Sequence, residues 1–173
     1  TECMDDGDSL LKNERDIDFE RGKIFGRWNQ VFAVFIPDSM DDSLVESYFD
    51  SACDFYLSEL KKKGDVFPIL SSEDVRGHSR GVMLAMESSR GVGSLERLEK
   101  LYERGLRLIT LTWNHKNRAA GGCDEGGGFT DWGRELVSKM EKLGIVTDVS
   151  HLSDRSFYDL CEFSDAPFIA SHS

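Results

Sequence analysis

Short apolar runs alternate with longer amphipathic stretches along most of the chain. Runs rich in β-branched, aromatic and other apolar residues, such as QVFAVFI at 30–36, are typical of buried strands. Strands are therefore predicted at 30–36, 81–86, 106–112, 145–149 and 168–170.

The stretches between these runs carry apolar residues at helical spacing. Helices are predicted at 39–63, 94–104, 130–143 and 153–162. In the second of them Leu95, Leu98 and Leu101 form one apolar stripe. Ser94 and Thr130 are predicted N-caps, because Ser and Thr accept a hydrogen bond from the first turn of a helix. Glycines at 64, 105 and 144 are expected to end the preceding helices.

Strands that alternate with helices predict an α/β fold with a parallel sheet, either an open doubly wound sheet or a (β/α)8 barrel. The nucleotide-binding glycine motifs of doubly wound sheets are absent from the sequence. Glu87, His151 and His172 all follow strands, and barrel enzymes carry their chemistry at the carboxyl ends of strands. We therefore expect a (β/α)8 TIM barrel. A full barrel needs about 250 residues, so residues 1–173 are predicted to be one domain, the central segment, with about five strands and without the first and last ones.

Composition and charge exclude several classes of protein. The 173 residues carry a formal charge of −11, which disfavours nucleic-acid binding. The one basic run, Lys61-Lys62-Lys63, is expected to close a helix. No apolar run reaches the roughly 18 residues of a membrane span, and no signal peptide is visible, which predicts a cytoplasmic location. The four cysteines lack C-x-x-C spacing, so reduced thiols are expected rather than a cysteine zinc site.

Three polar residues at strand ends are candidate metal ligands. The helix between the strands that precede His151 and His172 is short, so those strands are expected to be neighbours, about 4.8 Å apart. Two imidazoles could then reach one ion, and the carboxylate of Glu87 could bridge two; zinc accepts both ligand types. A strand-end His can equally be a satisfied hydrogen-bond partner. Asp148 either orients a metal ligand through a hydrogen bond, without binding the metal itself, or hydrogen-bonds the backbone.

Other polar residues give less specific signals. His78 lies in a polar turn and is expected to be solvent-exposed. His115 follows a strand, so it could line the mouth of a site or lie in a plain surface loop. The glycines at 121–122 and 126–128 lack the Lys and Ser/Thr of a phosphate-binding loop and predict a flexible connection.

At these residues the chain resembles the membrane dipeptidase (renal dipeptidase) family of zinc peptidases. The resemblance lies in LRLITLTWNHKN at 106–117, in GFTDWGRELV at 128–137, in MEKLGIVTDVSHLSD at 140–154 and in APFIASHS at 166–173. The glutamate strand at 83–87 and the helix after it also match. The similarity covers essentially residues 16–173, in order.

The resemblance implies a (β/α)8 TIM barrel of the metal-dependent hydrolase type, and a zinc-dependent dipeptidase with two zinc ions per complete site. Glu87 would bridge the ions, His151 and His172 would bind one of them, and a bridging hydroxide would attack the peptide bond of a dipeptide. The family's first ligands, a His-x-Asp pair, would precede Thr1, and its proton-transfer Asp is expected beyond Ser173. A homodimer is a possible assembly.

Two positions depart from the family pattern. Trp113 occupies the place where some members have a substrate-contacting His, and Ser88-Ser89 stands where Gly-Gly is common. The alternatives are another metal-dependent amide or ester hydrolase on the same barrel, since fold does not fix substrate, or a non-catalytic relic of the barrel.

Overall fold

A parallel sheet with helices packed against it forms the centre of the molecule, in a computed structural model that describes residues 2–62 and 66–172. Short 3-10 turns follow the second helix and the third strand. In chain order the elements are α1 (Glu2–Asp6), α2 (Phe19–Gly22), β1 (Trp28–Phe35), α3 (Asp42–Lys61), β2 (Phe67–Pro68), α4 (Ser72–Gly77), β3 (Arg80–Glu87), α5 (Leu95–Glu103), β4 (Leu106–Thr110), α6 (Asp131–Leu143), β5 (Val146–Asp148), α7 (Asp154–Phe163) and β6 (Phe168–Ile169).

The strands are parallel and lie in the order β1-β3-β4-β5-β6. The short β2 pairs with the beginning of β3, at Gly81 and Val82. The pairing between β3 and β4 shifts register at Leu84 and Ala85 and continues to Glu87. The predicted α/β fold with a parallel sheet is confirmed, and the expected adjacency of β5 and β6 is correct.

Helix ends follow the predicted caps. Ser94 accepts a hydrogen bond from the Arg97 N–H, and Thr130 accepts one from the Gly133 N–H. Gly144 ends α6 in the left-handed conformation, with φ 78°. The predicted start of α3 at residue 39 is wrong: residues 37–40 form a turn, and Asp41 caps the helix that starts at Asp42. The predicted helix end at Lys63 and Gly64 lies outside the described residues.

The core lies between the sheet and the helices that cover it. Leu84 and Met86 of β3 and Ile109 of β4 are at most 1% exposed. The helices contribute equally buried residues: Leu98 and Leu101 of α5, and Leu136 and Met140 of α6. Burying an aliphatic side chain of this size stabilises the fold by about 1.5–3 kcal/mol. This core holds the carboxyl ends of β3, β4 and β5 at one edge of the sheet.

Candidate metal centre

Three candidate ligands meet at the carboxyl edge of the sheet. Glu87 is the last residue of β3, and His151 and His172 each lie three residues beyond the end of a strand, β5 and β6. The Nε2 atoms of the two histidines are 2.8 Å apart. Glu87 Oε1 lies 3.4 Å from Nε2 of His151 and 3.9 Å from Nε2 of His172. One ligand atom from each residue fits within 4.8 Å of the other two.

An unusual backbone conformation turns His151 toward this cluster. Its φ is 67°, in the left-handed region that side-chain-bearing residues rarely adopt. Its carbonyl accepts hydrogen bonds from the Cys123 N–H at 2.9 Å and from the Thr112 hydroxyl at 3.1 Å. The loop that follows β4 therefore offsets the strain of this conformation, which costs about 1–3 kcal/mol.

A hydrogen bond fixes which nitrogen of His151 is available to a metal. Nδ1 lies 3.0 Å from Oδ1 of Asn114. An amide oxygen accepts and cannot donate, so Nδ1 carries the proton. The lone pair is left on Nε2, the atom that faces Glu87 and His172.

A second chain of hydrogen bonds fixes His172 in the same way. The Ser171 hydroxyl donates its one proton to Oδ2 of Asp148, at 2.6 Å. Toward His172 Nδ1, 2.8 Å away, that hydroxyl can therefore act only as acceptor. His172 carries its proton on Nδ1, and its Nε2 lone pair also points into the cluster.

Asp148 is the fully buried centre of this arrangement, 0% exposed. Its Oδ1 accepts from the N–H and hydroxyl of Ser150 and from the Ser171 N–H, and its Oδ2 accepts from the hydroxyls of Thr110 and Ser171. Burial by itself raises the pKa of Asp148, but the hydrogen bonds from Ser171, Thr110 and Ser150 outweigh burial and hold the pKa below its usual value. Asp148 therefore accepts hydrogen bonds from the backbone at Ser150 and Ser171, and the Ser171 hydroxyl connects it to His172.

The donor set suits a zinc ion. The Nε2 atoms of His151 and His172 are 2.8 Å apart, so their lone pairs repel each other. A cation bound between these two atoms and the Glu87 carboxylate would remove that repulsion. Imidazole nitrogen and carboxylate oxygen are both common zinc ligands. Behind the imidazoles, Asn114 and Ser171 supply the hydrogen bonds that orient metal-bound histidines in known sites.

A sequence model of the membrane dipeptidase family, peptidase family M19, matches residues 6–173. The chain belongs to this family. An uncharacterized dipeptidase of Schizosaccharomyces pombe is 38% identical over 86 residues, which cover 46% of this chain and 21% of the fungal protein. An uncharacterized protein in the PQQ-III 3′ region of Acinetobacter calcoaceticus is 29% identical over 111 residues, 58% of this chain and 35% of that protein. The chain spans less than half the length of these relatives.

Solved structures of metallopeptidases have the same fold. The dipeptidase AC, a metallopeptidase of this family, has a TM-score of 0.84 and 22% identity, over 95% of this chain and 56% of that one. A metallopeptidase from Rhodobacter sphaeroides, liganded with a phosphinate mimic of the dipeptide L-Ala-D-Ala, has a TM-score of 0.80 and 21% identity, over 95% of this chain and 58% of that one. The barrel-type fold expected from the sequence is thus shown, here as a part of it.

The two departures from the family pattern differ in their local effect. Ser88, 0% exposed, has φ 82°, a conformation that favours glycine, and its hydroxyl has no partner among the described residues. Trp113 lies three residues after β4, with its ring centroid 6.5 Å from that of His151. The serine is therefore strained, whereas the tryptophan borders the cluster.

The other two histidines lie outside the cluster. His115 is half exposed in the loop after β4, where its N–H and its Nδ1 both contact Oδ2 of Asp38. The hydrogen bond to Asp38 raises the pKa of His115 above its ordinary value. The expectation that His78 is solvent-exposed is wrong in degree, since its ring stacks on Phe67 at 4.1 Å and is partly covered.

A cavity of about 770 Å³ opens beside the His115–Asp38 pair. Two of its lining cations already have partners: Arg90 bonds Asp42, and Arg118 lies over the ring of Trp132. The cavity therefore presents a mixed surface whose arginines are engaged within the protein.

Across residues 2–62 and 66–172, no helix is long and apolar enough to cross a membrane.

Sequence reasoning missed Asn114, Ser171 and Thr110 as supporting residues. Asn114 lies two residues after the T-L-T run at 110–112, and Ser171 directly precedes a candidate ligand. Ser171 could have been found by its position next to His172. Asn114 carries no local signal, because its role depends on the loop that brings it within 3.0 Å of His151.

Proposed function

We propose that the protein hydrolyses the peptide bond of dipeptides, with two zinc ions bound at the carboxyl edge of the sheet. The observation that carries the proposal is the convergence of Glu87, His151 and His172 within 4.8 Å, in a chain of the membrane dipeptidase family. The names of relatives support the substrate class: the fungal relative is called a dipeptidase, and the Rhodobacter sphaeroides structure holds a mimic of a dipeptide.

Each residue has a role in this proposal. The Glu87 carboxylate would bridge the two ions, and His151 and His172 would bind one of them through Nε2. When bound, zinc supplies a water of lowered pKa and polarises the carbonyl of the substrate. Asn114 and Ser171 hold both imidazoles with the proton on Nδ1, so that neither ring has to change tautomer to bind.

The shape of the edge also favours chemistry at this point. Glu87 and His151 are each 19% exposed, so a ligand that reaches them loses part of its water. His172 is 52% exposed on the described surface, which leaves an approach from that side. Electrostatic contacts with a substrate are stronger where water is partly excluded.

Replacing Glu87 with Gln tests the proposal, because the amide keeps the size of the side chain and removes the charge that would bridge the ions. We expect Glu87→Gln to lower the zinc content and to reduce hydrolysis of a panel of dipeptides by at least about 10³-fold. Glu99→Gln is the matched control, since Glu99 is an exposed α5 residue paired with Lys139 and should leave both quantities unchanged.

The panel should include lactones and cyclic amides. Full dipeptide hydrolysis by Glu87→Gln would refute the assignment of the site. Cleavage of lactones or cyclic amides without cleavage of any dipeptide would refute the substrate class and favour another hydrolase on this fold.

A further inference from the structure

Two aromatic side chains stand beside the candidate ligands. Phe35, the last residue of β1, is the register partner of Glu87 on β3. Paired residues on neighbouring strands project from the same face of a sheet, so the Phe35 ring lies on the face that carries Glu87. Trp113 packs edge-on against it, with ring centroids 4.9 Å apart and an interplanar angle of 73°.

Trp113 also reaches the second candidate ligand. Its ring centroid is 6.5 Å from that of His151. The aromatic pair therefore runs from the Glu87 side of the cluster to the His151 side. Both rings are only partly buried, which leaves apolar area available to a bound molecule.

The backbone around Trp113 is firmly held. Thr112, on one side, is 0% exposed and donates to the His151 carbonyl, and Asn114, on the other side, accepts from His151 Nδ1. An aromatic residue on a fixed backbone loses little conformational entropy when it contacts a ligand, which suits it to a binding surface.

We infer that Trp113 and Phe35 form the apolar wall of the substrate site and select dipeptides with a large apolar side chain over those made of glycine. The inference rests on the proposed dipeptidase function and specifies its substrate class. A substrate side chain that lies against the wall is removed from water beside the metal site that Glu87 and His151 would form. A glycine residue has no side chain to bury there and gains nothing from the wall.

The kinetic test compares Leu-Leu with Gly-Gly. We expect Trp113→Ala to lower kcat/KM for Leu-Leu at least about 10-fold and to change kcat/KM for Gly-Gly less than about twofold. Phe67→Ala is the control: it removes an exposed aromatic ring that stacks on His78, far along β3 from Glu87, and should change neither value. Equal losses on both dipeptides would mean that Trp113 only supports the site, and the inference would be overturned.

A binding measurement separates this inference from the proposed function. Benzohydroxamate and acetohydroxamate carry the same metal-binding group and differ in apolar area, and their dissociation constants can be measured by calorimetry on zinc-loaded protein. Wild type should bind benzohydroxamate at least about 10-fold more tightly, and Trp113→Ala should lose most of that preference. If no dipeptide is hydrolysed, but wild type prefers benzohydroxamate and Trp113→Ala loses that preference, the assignment of the apolar wall is correct and the dipeptidase proposal is wrong. If dipeptides are hydrolysed without any such preference, the wall is wrong.

Discussion

Replacing Asp148 with Asn should move the proton of His172 to Nε2, the atom that would bind a metal. The carbonyl oxygen of the introduced amide can take the place of Oδ1 and keep the bonds from Ser150 and the Ser171 N–H. The amide nitrogen then faces the hydroxyls of Thr110 and Ser171, which must accept instead of donating. The Ser171 proton is released toward His172 Nδ1, so the His172 proton moves to Nε2 and blocks that atom as a ligand.

The structure gives the size of both effects. At Oδ2 alone, two charge-assisted hydrogen bonds, at about 1.5–3 kcal/mol each, become two neutral ones at about 0.5–1.5 kcal/mol each. The three bonds to Oδ1 also lose their charge assistance, so the free energy of unfolding should fall by at least about 2 kcal/mol. Loss of an orienting hydrogen bond behind a metal-bound histidine typically costs about 10–100-fold in affinity. The native pKa of Asp148 lies below its usual value, so its contribution to stability is full above an unfolded pKa of about 3.9 and is lost as pH falls through the native pKa. The Asp148→Asn variant should therefore lose less stability on acidification.

Two further variants separate the stability effect from the metal effect. Thr110→Val removes one bond to Asp148 and leaves Ser171 in place, so it should lower stability with unchanged zinc affinity. Ser171→Ala removes the acceptor of the His172 proton, so it should lower zinc affinity with a smaller loss of stability. Zinc affinity is measured by competition with a chromophoric chelator, and stability by urea denaturation of metal-free protein. Wild-type zinc affinity in both Asp148→Asn and Ser171→Ala would refute the reasoning.

Two predictions concern regions outside the metal centre. The hydrogen bond to Asp38 raises the pKa of His115. The contact therefore stabilises the protein fully below the ordinary histidine pKa of about 6.5, and this stabilisation is lost as pH rises through the raised pKa. In Asp38→Asn, proton NMR should show the His115 pKa back in the ordinary range, and an unchanged titration would contradict this. Gly133→Ala should lower the free energy of unfolding, measured by urea denaturation, by about 1–3 kcal/mol, because the new Cβ would lie 2.1 Å from the Ala119 carbonyl oxygen. Gly77→Ala is the control: its Cβ would meet no atom within 4 Å, so it should change the free energy of unfolding by less than about 0.5 kcal/mol.

Strand ends were the most predictable part of this molecule. Apolar runs placed β3, β5 and β6, and the first strong polar groups beyond them are the residues that converge. The prediction worked because parallel strands bring their carboxyl ends to one edge, so position along each strand predicts proximity in space. The short helix between β5 and β6 correctly indicated that these strands pair.

Short elements and loop contacts could not be predicted in this way. The strand β2 has two residues, and α4 has six and few apolar ones, so neither produces a periodic pattern. The glycine loop at 121–128 was expected to be a flexible connection, and the structure corrects this. A Cβ at Gly121 would lie 2.2 Å from the Gly126 carbonyl oxygen, and one at Gly122 would lie 2.5 Å from that of Asn114. These glycines permit close backbone contacts between loops, which no local pattern reveals.

The strand order places the candidate ligands Glu87 and His172 on parts of the sheet that differ in how firmly they are hydrogen-bonded. Glu87 ends β3, which pairs with β1 along its whole length on one side and with β2 and then β4 on the other. His172 follows β6, a two-residue strand at the edge of the described sheet. Amide exchange in proteins is slowest where both edges of a strand are bonded and fastest at short outer strands, because each region opens with its own free energy. An ion bound by both residues would join the slowest-opening part of the sheet to the fastest-opening part, and local unfolding near β6 would then also require release of the ion.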